Sequence, residues 1–198
     1  MTNRRETFGG LGNWLFQSAY LYAQMRKGEI PDIYVQDEKY FKDYAEEIKA
    51  LHKAGIEPID MVSLHIRRGD YVGNPFYTDL TETDYYQKAL AEFPEETFLV
   101  FCADRQPKSD DQSDRKWVQK WLNEEFPDRK FQFFDGKDEV EDFNAQAGCK
   151  GHVTANSSFS FWSAFVGGGE TVYPSLDKWY ADGLERTKFE PQDNWKAI

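Results

Sequence analysis

The sequence predicts an α/β fold built on a parallel sheet, and two features carry that reading. Short apolar runs at 61–66, 98–102, 131–134, 152–155 and 171–173 alternate with segments of helical periodicity. Strands separated by helices need crossover connections, and those place neighbouring strands parallel. The 198 residues suit one large domain or two small ones, with enough chain to bury a sizeable core.

The first thirteen residues are polar and end in the glycine-dense Gly9-Gly10-Leu11-Gly12-Asn13, which reads as a turn. Glycine allows positive φ and close approach of the backbone to a partner. A helix follows from Trp14 to Lys27, with Leu15, Ala19 and Tyr22 on one face beside Phe16 and Ala23. Gly28 stops it, and a short strand is expected at 32–35 after Pro31. Residues 37–54 read as a second, mostly polar helix with Tyr40, Tyr44, Ile48 and Leu51 at helical spacing, and Gly55 and Pro58 mark a boundary. This divides the chain into an α-rich segment, 1–58, and an α/β domain, 59–198.

In the second part the strand 61–66 ends in Arg67-Arg68-Gly69-Asp70. Thr81-x-x-Asp84 fits a capping box opening the next helix, which carries Tyr85, Ala89 and Leu90 inward. Phe98–Cys102 is an unbroken apolar strand, and the charged stretch 104–114 reads as a mobile loop or lid. A helix at 116–125 sets Trp117, Val118, Trp121 and Leu122 on its inner side. The strand 131–134 and a helix at 140–147 follow, then the strand 152–155, an apolar helix at 159–166 and the strand 171–173. Pro174 begins a tail.

The formal net charge is -11, from 24 basic and 35 acidic residues, so the overall field repels nucleic acid and anionic membranes. The N-terminus lacks an apolar signal core, and the expected setting is soluble and cytoplasmic. The two cysteines, Cys102 and Cys149, read as buried thiols of a reducing compartment. The three histidines, His52, His65 and His152, show no metal-ligand spacing, so no metal is expected.

Four groups at predicted loops or strand ends are candidates for chemistry. His65, Arg67, Arg68 and Asp70 follow the first apolar strand, where an α/β sheet binds ligands, and arginine forks grip phosphate. They read equally as surface arginines paired with Asp70. Asn156-Ser157-Ser158 opens a helix whose N–H groups suit a phosphate, or it is a plain N-cap. Asp104 lies past the second strand, placed for a ribose or a purine edge or simply solvated. The glycine block lacks the preceding strand that a dinucleotide fingerprint requires.

Four blocks in order, 9–23 (GGLGNWLFQSAYLYA), 62–72 (VSLHIRRGDYV), 85–90 (YYQKAL) and 149–165 (CKGHVTANSSFSFWSAF), resemble the bacterial α-1,2-fucosyltransferase family. The resemblance extends to YPSLDKWY near Trp179. It implies a GT-B architecture of two Rossmann-like halves, the nucleotide half complete and the N-terminal acceptor half abridged. It also implies inverting, metal-independent transfer of L-fucose from GDP-fucose to a glycan hydroxyl. By that resemblance His65, Arg67, Arg68 and Asp70 face the pyrophosphate, with Arg67 indispensable. Gly10, Gly12 and Asn13 border the cleft, Asp104 sits near the nucleoside, and Asn156, Ser157 and Ser158 meet the phosphates. The partners implied are a nucleotide-sugar donor and a glycan acceptor, with no nucleic acid. A second copy of the chain could complete the acceptor site. Trp14 stands where the family usually has Gln, Phe161 replaces a Trp, and CADRQ at 102–106 carries one acid of a usual pair. The alternatives are a noncatalytic nucleotide-sugar binder and a transferase using another GDP-sugar.

Overall fold

A computed structural model of the protein describes residues 10–27, 38–102, 114–183 and 192–198. The strand expected at 32–35, most of the charged stretch 104–114 and Asp104 itself lie outside the described residues. The elements in chain order are α1 (Leu11–Lys27), α2 (Ala45–Lys53), β1 (Ile59–Ile66), α3 (Tyr85–Ala91), β2 (Thr97–Cys102) and α4 (Asp114–Glu125). They continue as β3 (Lys130–Phe133), α5 (Glu139–Gly148), β4 (Cys149–Val153), α6 (Ser158–Gly167), β5 (Glu170–Tyr173) and β6 (Trp195–Ala197).

The strands form one six-stranded sheet in the order β3-β2-β1-β4-β5-β6. Every paired neighbour runs parallel. This is the order of a doubly wound fold, and its direction of winding reverses between β1 and β4. The alternation of β1 divides its side chains between the two faces. Val62, Leu64 and Ile66 pack with Tyr85, Tyr86, Ala89, Leu90, Val118 and Leu122 of α3 and α4. Ser63 and His65 point the other way, toward His152 of β4 and Phe159 of α6.

That second face carries the helix on which the molecule is assembled. α6 is buried from Ser160 to Val166, as its apolar sequence requires of a helix covered on all sides. Phe161, Trp162 and Phe165 share one core with Leu11, Leu15, Phe16, Ala19 and Ala23 of α1, with Phe41 and Ile48, and with Phe143 and Ala147 of α5. Phe16 stacks on Phe161 at 5.1 Å and meets Trp162 edge-on at 5.2 Å. The boundary expected near residue 58 lies between α2 and β1, while helices from both sides of it share this core.

Gly12 lets the start of α1 lie against the backbone of α6. A Cβ there would collide with the backbone of Ser158 and Phe159. Residues 11–13 are therefore the first turn of a helix rather than the expected loop. Neither Gly10 nor Gly12 adopts a positive φ. Glycine is needed here for space and not for a turn.

Other local expectations are corrected by tertiary contacts. Residues 38–44 form two 3-10 turns ahead of a shorter α2, and Leu51 faces outward because the core lies on the Ile48 side. The expected capping box is replaced by Asp79, which accepts from Thr81 N at 3.0 Å and caps a 3-10 turn at Leu80–Glu82. Thr83 Oγ1 then accepts from Tyr85 N at the start of α3. β4 begins at Cys149, directly after α5, earlier than the strand expected at 152–155. The segment after Pro174 does not stay outside the sheet, because residues 195–197 return as β6 beside β5. Trp117 is 39% exposed and belongs to the surface rather than to the inner side of α4. Cys102 and Cys149 are not joined in a disulfide; Cys102 is half-buried rather than buried as expected, and burial pushes the Cys149 thiol up to about 12.

His152 is fully buried beside Ser63, its neighbour across the parallel ladder. Its Nε2 donates to the Gly168 carbonyl at 2.8 Å, so its Nδ1 accepts from the Ser63 hydroxyl at 2.8 Å. Burial lowers its pKa from 6.5 to about 4, and the bond to Gly168 only partly opposes this.

Two predictions follow from these contacts. Gly12→Ala should cost about 1–3 kcal/mol by forcing α1 off the α6 start, read as a lower urea midpoint with an unchanged slope. The unfolded chain protonates His152 near pH 6.5, while the native ring stays neutral down to about 4, so its contribution is full above 6.5 and lost on acidification through that window. That loss amounts to about 3 kcal/mol, and His152→Gln should flatten the pH dependence of stability measured by urea denaturation between pH 7 and 4.

Candidate active site

The crevice beyond the carboxyl ends of β1 and β4 is where the winding of this sheet leaves room for a ligand. From β1 the chain continues into Arg67, Arg68 and a 3-10 turn, Gly69–Tyr71. From β4 it continues through Thr154 and Ala155 into Asn156, Ser157 and α6. The two connections touch: the Tyr71 hydroxyl donates to the Asn156 carbonyl at 3.1 Å.

Arg67 and Arg68 part company because successive residues leaving a strand diverge. Arg67 Nη2 donates to Asp70 Oδ1 at 2.6 Å, and its guanidinium lies 5.2 Å from the centre of the Tyr71 ring. Arg67 Nε is shielded from solvent and has no hydrogen-bond partner among the described residues. Asp70 is largely exposed, with 64% of its side-chain surface open.

Arg68 turns to the α3 and α4 side. Its Nη1 meets Asp79 Oδ2 at 3.3 Å and donates to Thr81 Oγ1 at 2.9 Å. Its Nε lies 3.9 Å from Asp114 Oδ1, and its Cζ sits 3.4 Å above the centre of the Trp117 ring. Only 12% of the Arg68 side chain and 8% of Asp79 are exposed. Asp114 also accepts from the Gly69 amide at 2.5 Å, tying the start of α4 to the turn after β1. Arg68 thus braces the loop, and Arg67 is the guanidinium beside the crevice.

His65 is buried at the end of β1 with its ring 5.9 Å from Phe159. Burial, reinforced by the Arg67 charge, lowers its pKa to about 3. The imidazole is therefore neutral at physiological pH and adds no positive charge to the site. Among the described residues its Nδ1 has no hydrogen-bond partner, and its carbonyl accepts from the Tyr86 hydroxyl at 2.9 Å.

On the β4 side the Asn156 side chain is spent on structure. Its Nδ2 donates to Thr78 O at 2.9 Å and Trp179 O at 3.0 Å. These bonds join the segment after Tyr71 to the segment around Tyr180, which also meet in an antiparallel bridge between Tyr77 and Tyr180. Ser157 caps α6 by accepting from Phe159 N at 3.3 Å. The Ser158 hydroxyl donates to Asn13 Oδ1 at 2.9 Å, so Asn13 and Gly12 meet the start of α6. Gly10 is exposed, and its carbonyl receives the Trp14 amide at 3.1 Å.

Arg67, Asp70, Asn156, Ser157, Ser158, Gly12 and Asn13 are thus gathered around one end of the sheet, with His65 buried beneath and Arg68 on the far side. Asp104 lies outside the described residues. Sequence reasoning did not single out Tyr71, although it stands inside the HIRRGDYV block. Nor did it connect Asp79, Thr81, Asp114 and Trp117 to Arg68, because no local pattern joins them. Among the described residues no group of three His, Cys, Asp or Glu is arranged to hold a metal ion. No helix of these residues is long and apolar enough to cross a membrane.

A family model described as Glycosyl transferase family 11 matches residues 10–198. The chain is 28% identical over 192 residues to the O-antigen biosynthesis glycosyltransferase WbnK of Escherichia coli, covering 91% of this chain and 58% of the relative. It is 27% identical over 197 residues to an alpha-1,2-colitosyltransferase of Escherichia coli, covering 87% of this chain and 63% of that relative. The chain therefore spans less than two thirds of the length of either relative. No solved structure matches.

The two arginines should separate in stability measurements. Arg68→Ala strands the largely buried Asp79 and should cost about 3–5 kcal/mol. Arg67→Ala breaks an exposed pair and should cost less than about 1 kcal/mol. Chemical denaturation of both variants checks the contrast.

Proposed function

The chain belongs to glycosyl transferase family 11, and on that premise we propose that it binds a GDP-sugar at the β1/β4 crevice and transfers L-fucose to a glycan hydroxyl with inversion. The observation that carries this reading is the contact between the Arg67-bearing turn and the start of α6, which supports one diphosphate held from two sides. In a GT-B-like glycosyltransferase this doubly wound unit would be the nucleotide-binding half.

The chemistry asks little of a protein acid. Breaking the bond between sugar C1 and the β-phosphate leaves negative charge on departing GDP and an oxocarbenium-like sugar. Donors already aimed at that charge favour the transition state over the ground state. Arg67 supplies a fork whose charge persists at any physiological pH. Asp70, holding one Nη at 2.6 Å, orients that fork. The α6 N-terminus adds the positive end of its dipole, while the Ser157 and Phe159 amides are already bonded to Ala155 O and Ser157 Oγ. Ser157 and Ser158 stand at that terminus, while Asn156 fixes the turn leading into it. Neutral His65 would serve as a polar neighbour rather than a cation. No base is assigned, because the acceptor proton leaves late and Asp70, Asp104 or a phosphate oxygen can take it.

A second reading of the donor sugar comes from the relative named as an alpha-1,2-colitosyltransferase. On that likeness the transferred sugar is colitose in place of fucose.

A nucleotide-sugar panel with a glycan acceptor mixture, followed by mass analysis of products, tests the proposal. The expected product gains one deoxyhexose with release of GDP, and absence of guanine-nucleotide binding by calorimetry would sink it. Arg67→Lys keeps the charge and loses the fork. It should slow transfer on the order of a hundredfold, equivalent to about 3 kcal/mol of barrier.

A further inference from the structure

We infer that Tyr71 is a positioning residue that holds Arg67 in register with the start of α6, so that one diphosphate meets both at once. The inference deepens the proposed function and rests on it. Tyr71 closes the turn after β1, its amide donating to Arg68 O at 2.7 Å. One face of the side chain serves Arg67, whose guanidinium lies 5.2 Å from the ring centre. The ring also stacks on Tyr77 at 4.1 Å and 6° between planes, and Tyr77 in turn meets Tyr180 at 5.7 Å. The hydroxyl reaches across to the Asn156 carbonyl at 3.1 Å, at the entry to α6. A single side chain therefore touches the guanidinium from one strand end and the backbone of the other.

Its surroundings make the link stiff. Asn156 is itself held by Thr78 and Trp179, the neighbours of Tyr77 and Tyr180. Burial raises the phenol pKa well above its ordinary value, so the hydroxyl remains a donor throughout the physiological range. Asp70 pulls on the same guanidinium from the exposed side. Without Tyr71 the fork would still carry its charge, but its distance from the start of α6 would no longer be set.

The effect must run through the phosphates, and that separates positioning from general loosening. Affinities of GDP and guanosine are measured by calorimetry and competition on the full chain, for the wild type, Tyr71→Phe and Tyr71→Leu. Tyr71→Phe keeps the ring contacts and loses the bond to Asn156; it should weaken GDP about fivefold. Tyr71→Leu loses both and should weaken GDP about fiftyfold. Guanosine affinity should stay within about twofold of wild type in both variants. The inference is overturned if GDP binding is unchanged in the variants, or if guanosine weakens by the same factor as GDP. If Tyr71→Leu does not fold, the GDP-to-guanosine ratio of Tyr71→Phe decides. A wild-type chain that binds no GDP overturns the proposed function and this inference together. A wild type that binds GDP beside indifferent variants overturns this inference alone.

Discussion

The burial of α6 is the constraint on which the remaining structure depends. A helix apolar on every side has to be covered on every side, and here the sheet covers one flank while α1, α2 and α5 cover the others. The aromatic cluster of Phe16, Phe41, Phe161, Trp162 and Phe165 gives that contact its area, and the absence of a side chain at Gly12 lets α1 reach the α6 backbone. The position of α6 decides where its N-terminus lies. Because α6 follows β4, and β4 pairs with β1, that N-terminus lies beside the end of the strand that delivers Arg67.

The same geometry explains why two adjacent arginines have different surroundings. Residues leaving a strand alternate between faces, so one meets the α3/α4 layer and the other the crevice. Arg68 finds Asp79, Thr81, Asp114 and Trp117 waiting, and most of its surface is withdrawn from water. Such an arrangement costs desolvation that its ion pairs and hydrogen bonds offset. Arg67 keeps an exposed carboxylate and an aromatic face for company, a setting from which an anion can recruit it. Local positive charge can therefore serve an anionic ligand inside a chain whose net charge is -11.

The two histidines of the sheet are held neutral for a shared reason. His65 and His152 are both almost wholly removed from water on the α6 face, and burial outweighs every favourable contact they make. His152 spends its ring on Ser63 and on the glycine turn closing α6, which makes it a fastener between sheet and helix. His65 lies closer to the crevice but carries no charge into it. A motif that groups His65 with Arg67 by position in the chain thus combines groups of unlike electrostatic character.

The sequence by itself determined the alternation of the first five strands of the sheet with helices and their parallel pairing. Those features depend on periodicity and on strand–helix alternation, which neighbouring residues encode within a few positions. HIRRGDYV and ANSSFSFW stood out as candidate segments through their resemblance to a family, since their residues alone read equally as surface charges and an N-cap. Tertiary structure alone decided which groups hold Arg68, since Asp79 and Thr81 are distant along the chain and Asp114 more so. It also decided that Gly12 serves close packing instead of a turn, and that residues 195–197 return as a strand. Tyr71 reaches a partner 85 residues away. Contacts of that range leave no periodic trace, because which groups meet is fixed only when the sheet and its helices have brought distant segments together.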